Sequence, residues 1–290
     1  MEISNNPIGI ADIASVLGIN GKLSLAKDAK ANILKCRSYL DEKMKEEGAK
    51  YYGINTGFGS LCDVEISKTE INQLQENLVM SHACGMGETV PVEIVRIMLI
   101  LKIQSLAYGH SGIALKTVER LMDMYNANVI PVIYTQGSLG ASGDLAPLAH
   151  LSLPILGKGE VWYNAEKISG ESLKELLGWK PLKLQSKEGL ALLNGTQFMS
   201  AYGTFLVIES EKILNRANTI AAASIDAYDC RIEPFNNLVH KIRPHQGQID
   251  TAAFILANLQ GSEIAGQEKS QVQDPYSFRC IPQVHGASAD

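Results

Sequence analysis

From Thr196 to Tyr228 the chain carries one long helical pattern, and that stretch limits the possible folds more than any other. Within it, Ala221-Ala222-Ala223-Ser224 has side chains small enough for a second helix to approach closely. Such a helix is expected to open a helical bundle, because its apolar face needs other helices against it. The sequence before Asp290 offers no matching bundle partners. Association is therefore expected, with other copies or with further sequence covering the apolar faces.

Helical periodicity also dominates upstream. Positions 26–47 read as an amphipathic helix ended by Gly48, 67–82 as another, and 91–107 as a third with Pro91 in its first turn. Two more buried helices are expected over 112–126 and 145–156. One short hairpin is expected, from Glu160-Val161-Trp162-Tyr163 and Glu166-Lys167-Ile168 around Asn164-Ala165. The chain's 290 residues suggest about two domains. The expected boundary lies near Asn194-Gly195, dividing 1–195 from 196–290, where loop-rich sequence gives way to the long helix.

Composition narrows the class of partner. Net charge is −5, from 26 basic and 31 acidic residues with neither sign massed in a block, so nucleic acid has no electrostatic footprint to bind. A small-molecule partner is expected instead. The five cysteines, Cys36, Cys62, Cys84, Cys230 and Cys280, are scattered without a Cys-x-x-Cys pair, which indicates neither a disulfide framework nor a zinc site. The most apolar run, 94–103, is broken by Arg96 and Lys102, and the start of the chain lacks a signal-peptide pattern. No membrane association is expected, and a cytoplasmic location is.

The segment Gly137-Ser138-Leu139-Gly140-Ala141-Ser142-Gly143-Asp144 carries unusual chemistry. In a tightly bent loop the backbone nitrogen of Gly143 can attack the carbonyl carbon of Ala141, and loss of two waters leaves an electrophilic five-membered ring. Gly143 offers an unobstructed amide, Ala141 is small, and Ser142 has a hydroxyl to eliminate. Gly137 and Gly140 open φ/ψ regions closed to other residues. Alone, Ala-Ser-Gly is also an ordinary glycine-rich turn ahead of a helix. The chain holds a near copy, Gly286-Ala287-Ser288-Ala289, that lacks the third glycine.

The surroundings of the tripeptide decide between these. Residues 140–150, Gly-Ala-Ser-Gly-Asp-Leu-Ala-Pro-Leu-Ala-His, resemble the signature of the aromatic amino acid ammonia-lyases, and three further blocks match that family in order. They are Tyr-Gly-Ile-Asn-Thr-Gly-Phe-Gly at 52–59, Gly-Leu-Ala-Leu-Leu-Asn-Gly-Thr at 189–196 and Gln-Asp-Pro-Tyr-Ser-Phe-Arg at 273–279. The resemblance implies a mainly α, fumarase/aspartase-like fold, with an N-terminal helical domain holding the loop and the start of a long bundle. It implies a 4-methylideneimidazole-5-one (MIO) group made autocatalytically from Ala141-Ser142-Gly143, with no diffusible cofactor and no metal. It further implies a homotetramer whose active sites combine residues of several subunits, and more long helices beyond Asp290.

Site roles follow from the same resemblance. Tyr52 matches the family's base or proton-shuttling tyrosine; a free phenol titrates at about 10, so the role calls for nearby donors or positive charge. Arg279 matches the arginine that binds the substrate carboxylate, for which a planar fork suits bidentate pairing. Gln273 and Tyr276 match residues lining the same pocket, and Asn194 matches the asparagine near the prosthetic group and the substrate's amino end. Ser81-His82 bears on the substrate. Relatives acting on phenylalanine or tyrosine usually place leucine second, whereas histidine-specific relatives have Ser-His, so His82 is expected to bond an imidazole ring and the reaction to be L-histidine to urocanate plus ammonia. The other histidines, His110, His150, His240, His245 and His285, lack metal-ligand spacing. The alternatives are a lyase or aminomutase for another aromatic amino acid, and an inactive, truncated helical scaffold.

Overall fold

The computed structural model describes residues 1–45, 50–56, 66, 70–141 and 143–290. They form two compact units, Met1–Phe205 and Leu206–Asp290, both largely helical. Among the described residues no helix is long and apolar enough to cross a membrane.

In the first unit, β1 (Glu2–Ile3) pairs in parallel with β2 (Ser24–Leu25), and α1 (Ile10–Gly18) makes the crossover. Then come α2 (Lys27–Lys43), α3 (Ile71–His82), α4 (Val92–Ala107) and α5 (Leu115–Asn126). The expected ends of α2 at Glu47 and Gly48, and the expected start of α3 at Ser67, lie outside the described residues. Helix α4 is the centre of the unit. Pro91 precedes it with φ −52, and Ile97, Met98, Leu99 and Ile100 are all fully buried. Four consecutive buried residues point to every side of a helix, so the middle of α4 has no wet face. Helix α5 is amphipathic, burying Val118, Leu121, Met122 and Tyr125. It starts at Leu115 rather than at Gly112, because Ala114 has extended backbone, ψ 141.

The expected hairpin forms as β6 (Glu160–Tyr163) and β7 (Glu166–Ser169), turned by Asn164 and Ala165 at φ 51 and 64. More pairing exists than was expected. Strand β4 (Ile130–Pro131) joins the hairpin through β6, while β3 (Met86–Thr89) pairs antiparallel with β5 (Tyr134–Gln136). These strands have two to four residues, too few to show an alternating pattern. The helix expected over 145–156 is α6 (Leu145–Ser152) followed by a 3-10 turn, Leu153–Leu156. Pro154 has no N–H with which to continue the α ladder. After α7 (Leu173–Leu177) comes α8 (Glu188–Leu193). Glu188, 1% exposed, anchors it: the carboxylate accepts from Thr117 Oγ1 at 2.6 Å, Gln185 N at 2.8 Å and Ala114 N at 3.0 Å. Buried Gln75 of α3 accepts from Gly189 N at 2.9 Å, and a Cβ on Gly189 would lie 2.7 Å from the Gln75 carbonyl oxygen. Helices α3 and α8 are therefore locked in near contact, which fixes His82 at the end of one relative to Asn194 just past the end of the other.

The division between the units falls within α9 (Gln197–Ala227). The second unit adds α10 (Asn237–Lys241), α11 (Gln246–Asn258), α12 (Tyr276–Arg279) and α13 (Ile281–Ala289). Its core contains Ala221, Ala222, Ile225, Phe235, Ile255 and Ile281. Helices α11 and α13 touch backbone to backbone, since a Cβ on Gly286 would lie 2.4 Å from Gln248 N. Leu206, Ile213 and Ile220, each seven residues from the last, remain 59%, 63% and 66% exposed on α9.

Candidate active site

Strand β5 delivers the chain to the glycine-rich loop. Gly137 at φ +144 passes Gly85 so closely that a Cβ there would lie 3.2 Å from Gly85 Cα. Gly143, at φ +122, is pressed on Gly195: a Cβ would fall 2.6 Å from the Gly195 carbonyl oxygen. Only glycine has both the backbone freedom and the missing side chain that this position needs. That cradle fits a tripeptide whose third residue must present a bare amide. Ser142 itself lies outside the described residues.

Asp144 holds the loop. It is 2% exposed, and its backbone N–H donates to Gly195 O at 2.8 Å. The carboxylate accepts from Ser138 Oγ at 2.8 Å and from Met199 N, in the first turn of α9, at 3.0 Å. Free amides and the positive end of the helix dipole make a helix start a good place to bury a carboxylate.

A cavity of about 200 Å³ opens beside the loop, lined by His82, Cys84, Leu139, Ala141, Gly143 and Ala146 among others. His82 is half-buried at the C-terminal end of α3, and its Nδ1 lies 2.8 Å from the Leu78 carbonyl oxygen. A carbonyl only accepts, so Nδ1 is the donor in this pair. The contact fixes the ring of a residue that lines the cavity.

The segment after His82 is tied by His150 of α6. Its Nε2 accepts from Gly85 N at 3.0 Å, and its ring meets Tyr134 edge-on at 5.2 Å. Burial lowers the His150 pKa below its ordinary value. The folded protein thus binds fewer protons than the unfolded chain once pH falls through about 6.5, and stability drops with it. Above that value both states hold a neutral ring and the contribution is flat. The thermal midpoint is expected to fall between about pH 7 and pH 5, and to fall less in His150→Gln; equal slopes in both proteins would remove His150 as the cause.

Asn194 follows α8, exposed, with its backbone carbonyl accepting from Lys102 Nζ at 3.0 Å. Tyr52 is 58% exposed in a turn where Tyr51 N donates to Asn55 Oδ1 at 2.7 Å, and it is not among the residues lining the cavity. The rest of its sequence block, 57–59, lies outside the described residues. In the second unit Gln273 is exposed, Tyr276 is 72% exposed, and the Arg279 guanidinium stacks over the Tyr276 ring at 4.2 Å. Among the described residues, Arg279 Nε is buried with no hydrogen-bond partner. His82, Ala141 and Gly143 thus meet at one cavity of the first unit, and Tyr276 and Arg279 meet within the second. Sequence reasoning missed the loop's supports Asp144, His150 and Lys102. A lysine within the apolar run 94–103 was the available signal for the last.

The sequence profile of the aromatic amino acid lyase family matches residues 8–290. The chain belongs to this family. It is 45% identical over 289 residues to the histidine ammonia-lyase of Caldanaerobacter subterraneus subsp. tengcongensis, covering 99% of this chain and 57% of that relative. Among solved structures, the histidine ammonia-lyase of Trypanosoma cruzi superposes with TM-score 0.85 at 35% identity, over 99% of this chain and 53% of that one. The phenylalanine aminomutase of Pantoea agglomerans superposes with TM-score 0.88 at 31% identity, over all of this chain and 59% of that one. The chain therefore spans little more than half the length of these aromatic amino acid lyase relatives. The helical fold is the one they share.

Proposed function

We propose that this chain provides the loop-bearing part of a histidine ammonia-lyase, a carbon–nitrogen lyase that eliminates ammonia from L-histidine without oxidation and releases urocanate. The single observation carrying this reading is His82. Its Nδ1–H is committed to Leu78, and His82 lines the cavity that Ala141 and Gly143 also line; in the neutral ring Nε2 is then the acceptor. An imidazole N–H is a ring donor that fits it; a phenyl ring has none. The 45% identity to a histidine ammonia-lyase supports the same substrate.

The reading includes MIO formed from Ala141-Ser142-Gly143, no diffusible cofactor, and a cytoplasmic homotetramer. Once formed, that group supplies an electrophile for expelling ammonia, chemistry that side chains lack. Tyr52 takes the proton from the substrate's β-carbon at its phenolic oxygen. Arg279 binds the substrate carboxylate, which satisfies the buried Nε, and the Tyr276 ring beneath the guanidinium holds its plane. Gln273 completes the carboxylate pocket and Asn194 bonds the amino end.

The test is His82→Leu in the active assembly, with kcat/KM measured on histidine and on phenylalanine. Losing the ring's partner costs about 1–3 kcal/mol, so histidine is expected to lose about 10–100-fold relative to phenylalanine. An equal change on both substrates would reduce His82 to a structural residue.

A further inference from the structure

Lys102 sits near the centre of α4, 1% exposed, on the helix whose middle has no wet face. An ammonium is among the costliest groups to bury, and an apolar side chain of similar shape usually serves stability as well or better. Among the described residues its one hydrogen bond goes to the Asn194 carbonyl, at 3.0 Å. Burial alone lowers its pKa to about 7, with no carboxylate offsetting the shift. Stability therefore does not explain a lysine here, and what it touches does.

The Asn194 carbonyl belongs to the peptide that leads into Gly195. Gly195 has φ +151, and its own carbonyl accepts from Asp144 N at 2.8 Å. The same oxygen stands 2.6 Å from where a Gly143 side chain would begin. The contacts thus run from Lys102 Nζ to the Asn194 carbonyl, along one peptide to Gly195, and onto the backbone of the tripeptide's third residue. Glycine at 195 leaves that peptide without intrinsic preference, so something outside the turn must set it. Helix α8 fixes the incoming side through Asn194 N, which donates to Leu190 O at 3.0 Å. Among the described residues, Lys102 is the only side chain that holds the 194 carbonyl.

We propose that Lys102 is a positioning residue for ring formation: by holding the Asn194 carbonyl it sets the turn against which Gly143 is pressed, and so bends the tripeptide for cyclisation. The inference rests on the ring-forming reading given above. Lys102 takes no part in the bond changes. Those remain attack of the Gly143 nitrogen on the Ala141 carbonyl carbon and loss of two waters, one from that carbonyl oxygen and one from the Ser142 hydroxyl.

Lys102→Met and Lys102→Arg in the full chain test this, each followed by intact mass at a fixed time after synthesis, thermal midpoint, and amide exchange at Asp144 and Met199. Methionine is expected to cut the fraction lighter by two waters by about tenfold or more and to speed exchange at Asp144 by about tenfold, the scale of one lost hydrogen bond. The thermal midpoint should stay level or rise, and arginine should restore both other readouts. A methionine variant that dehydrates and exchanges like the unsubstituted chain overturns the inference. So does a loss of dehydration that tracks a loss of thermal stability and is not rescued by arginine, since that is what a structural role would give. If the unsubstituted chain keeps its encoded mass, the ring-forming reading fails on its own and Lys102 is decided by exchange: acceleration at Asp144 with rescue by arginine upholds its hold on the turn, and unchanged exchange overturns it.

Discussion

Ser142→Ala is expected to lack the loss of two waters that is expected of the unsubstituted chain. Cyclisation closes the Gly143 nitrogen on the Ala141 carbonyl, but the exocyclic methylene requires a hydroxyl on residue 142 to eliminate, and alanine has none. Ammonia release in the assembled enzyme should fall by about a thousandfold or more, which corresponds to about 4 kcal/mol of lost transition-state stabilisation. Helical content should not change, because the loop is held by the Asp144 contacts to Ser138, Gly195 and Met199, none of which uses the Ser142 side chain. Retention of the mass deficit in Ser142→Ala would place the dehydration somewhere else in the chain. An unsubstituted chain at its encoded mass would remove the electrophile from the proposed reaction.

The second large effect comes from Gly143→Ala. The new methyl would start 2.6 Å from the Gly195 carbonyl oxygen, on a backbone at φ +122 that L side chains rarely adopt. Neither partner can swing aside as a flexible side chain would, because the obstacle is backbone that already accepts from Asp144 N. The loop must therefore leave its bent form. Ring formation should become undetectable by mass, with a stability loss of about 2–3 kcal/mol from strain and the broken contact. Gly140→Ala is the matched control, since Gly140 at φ +67 has nothing within 4 Å of the position its side chain would take. It should cost about 1 kcal/mol and still lose two waters. If the two variants dehydrate alike, close contact with Gly195 is not what shapes the tripeptide.

Much of the fold can be read from periodicity. Helices α3, α4 and α5 follow the spacing of their apolar residues, and the β6–β7 hairpin follows its Asn164-Ala165 turn. What the spacing misses is short or long-range. Strands β1 and β2 have two residues each and carry no period at all. Pro154 ends α6 through one missing N–H, an effect that an apolar count does not see. At the cavity, His82, Ala141 and Gly143 stand in quotable blocks, so the sequence points to them directly. Their supports do not announce themselves. Lys102 and Asn194 are 92 positions apart, and Gly85 and His150 are 65 apart. Lys102 reads first as an interruption of an apolar run, and His150 as a histidine without metal-ligand spacing. Only folding shows that each holds a backbone atom beside the site.

The exposed Leu206, Ile213 and Ile220 of α9 have a geometric consequence. A straight α-helix has 3.6 residues per turn, so positions seven apart slip by about 20° at each step and the stripe winds slowly around the helix. A straight neighbour can follow such a stripe for only a short distance. A heptad spacing of this kind suits a neighbouring helix crossing at about +20°, the left-handed geometry in which its side chains seat between these knobs. The spacing of three residues thus favours one hand of packing for a helix that buries them.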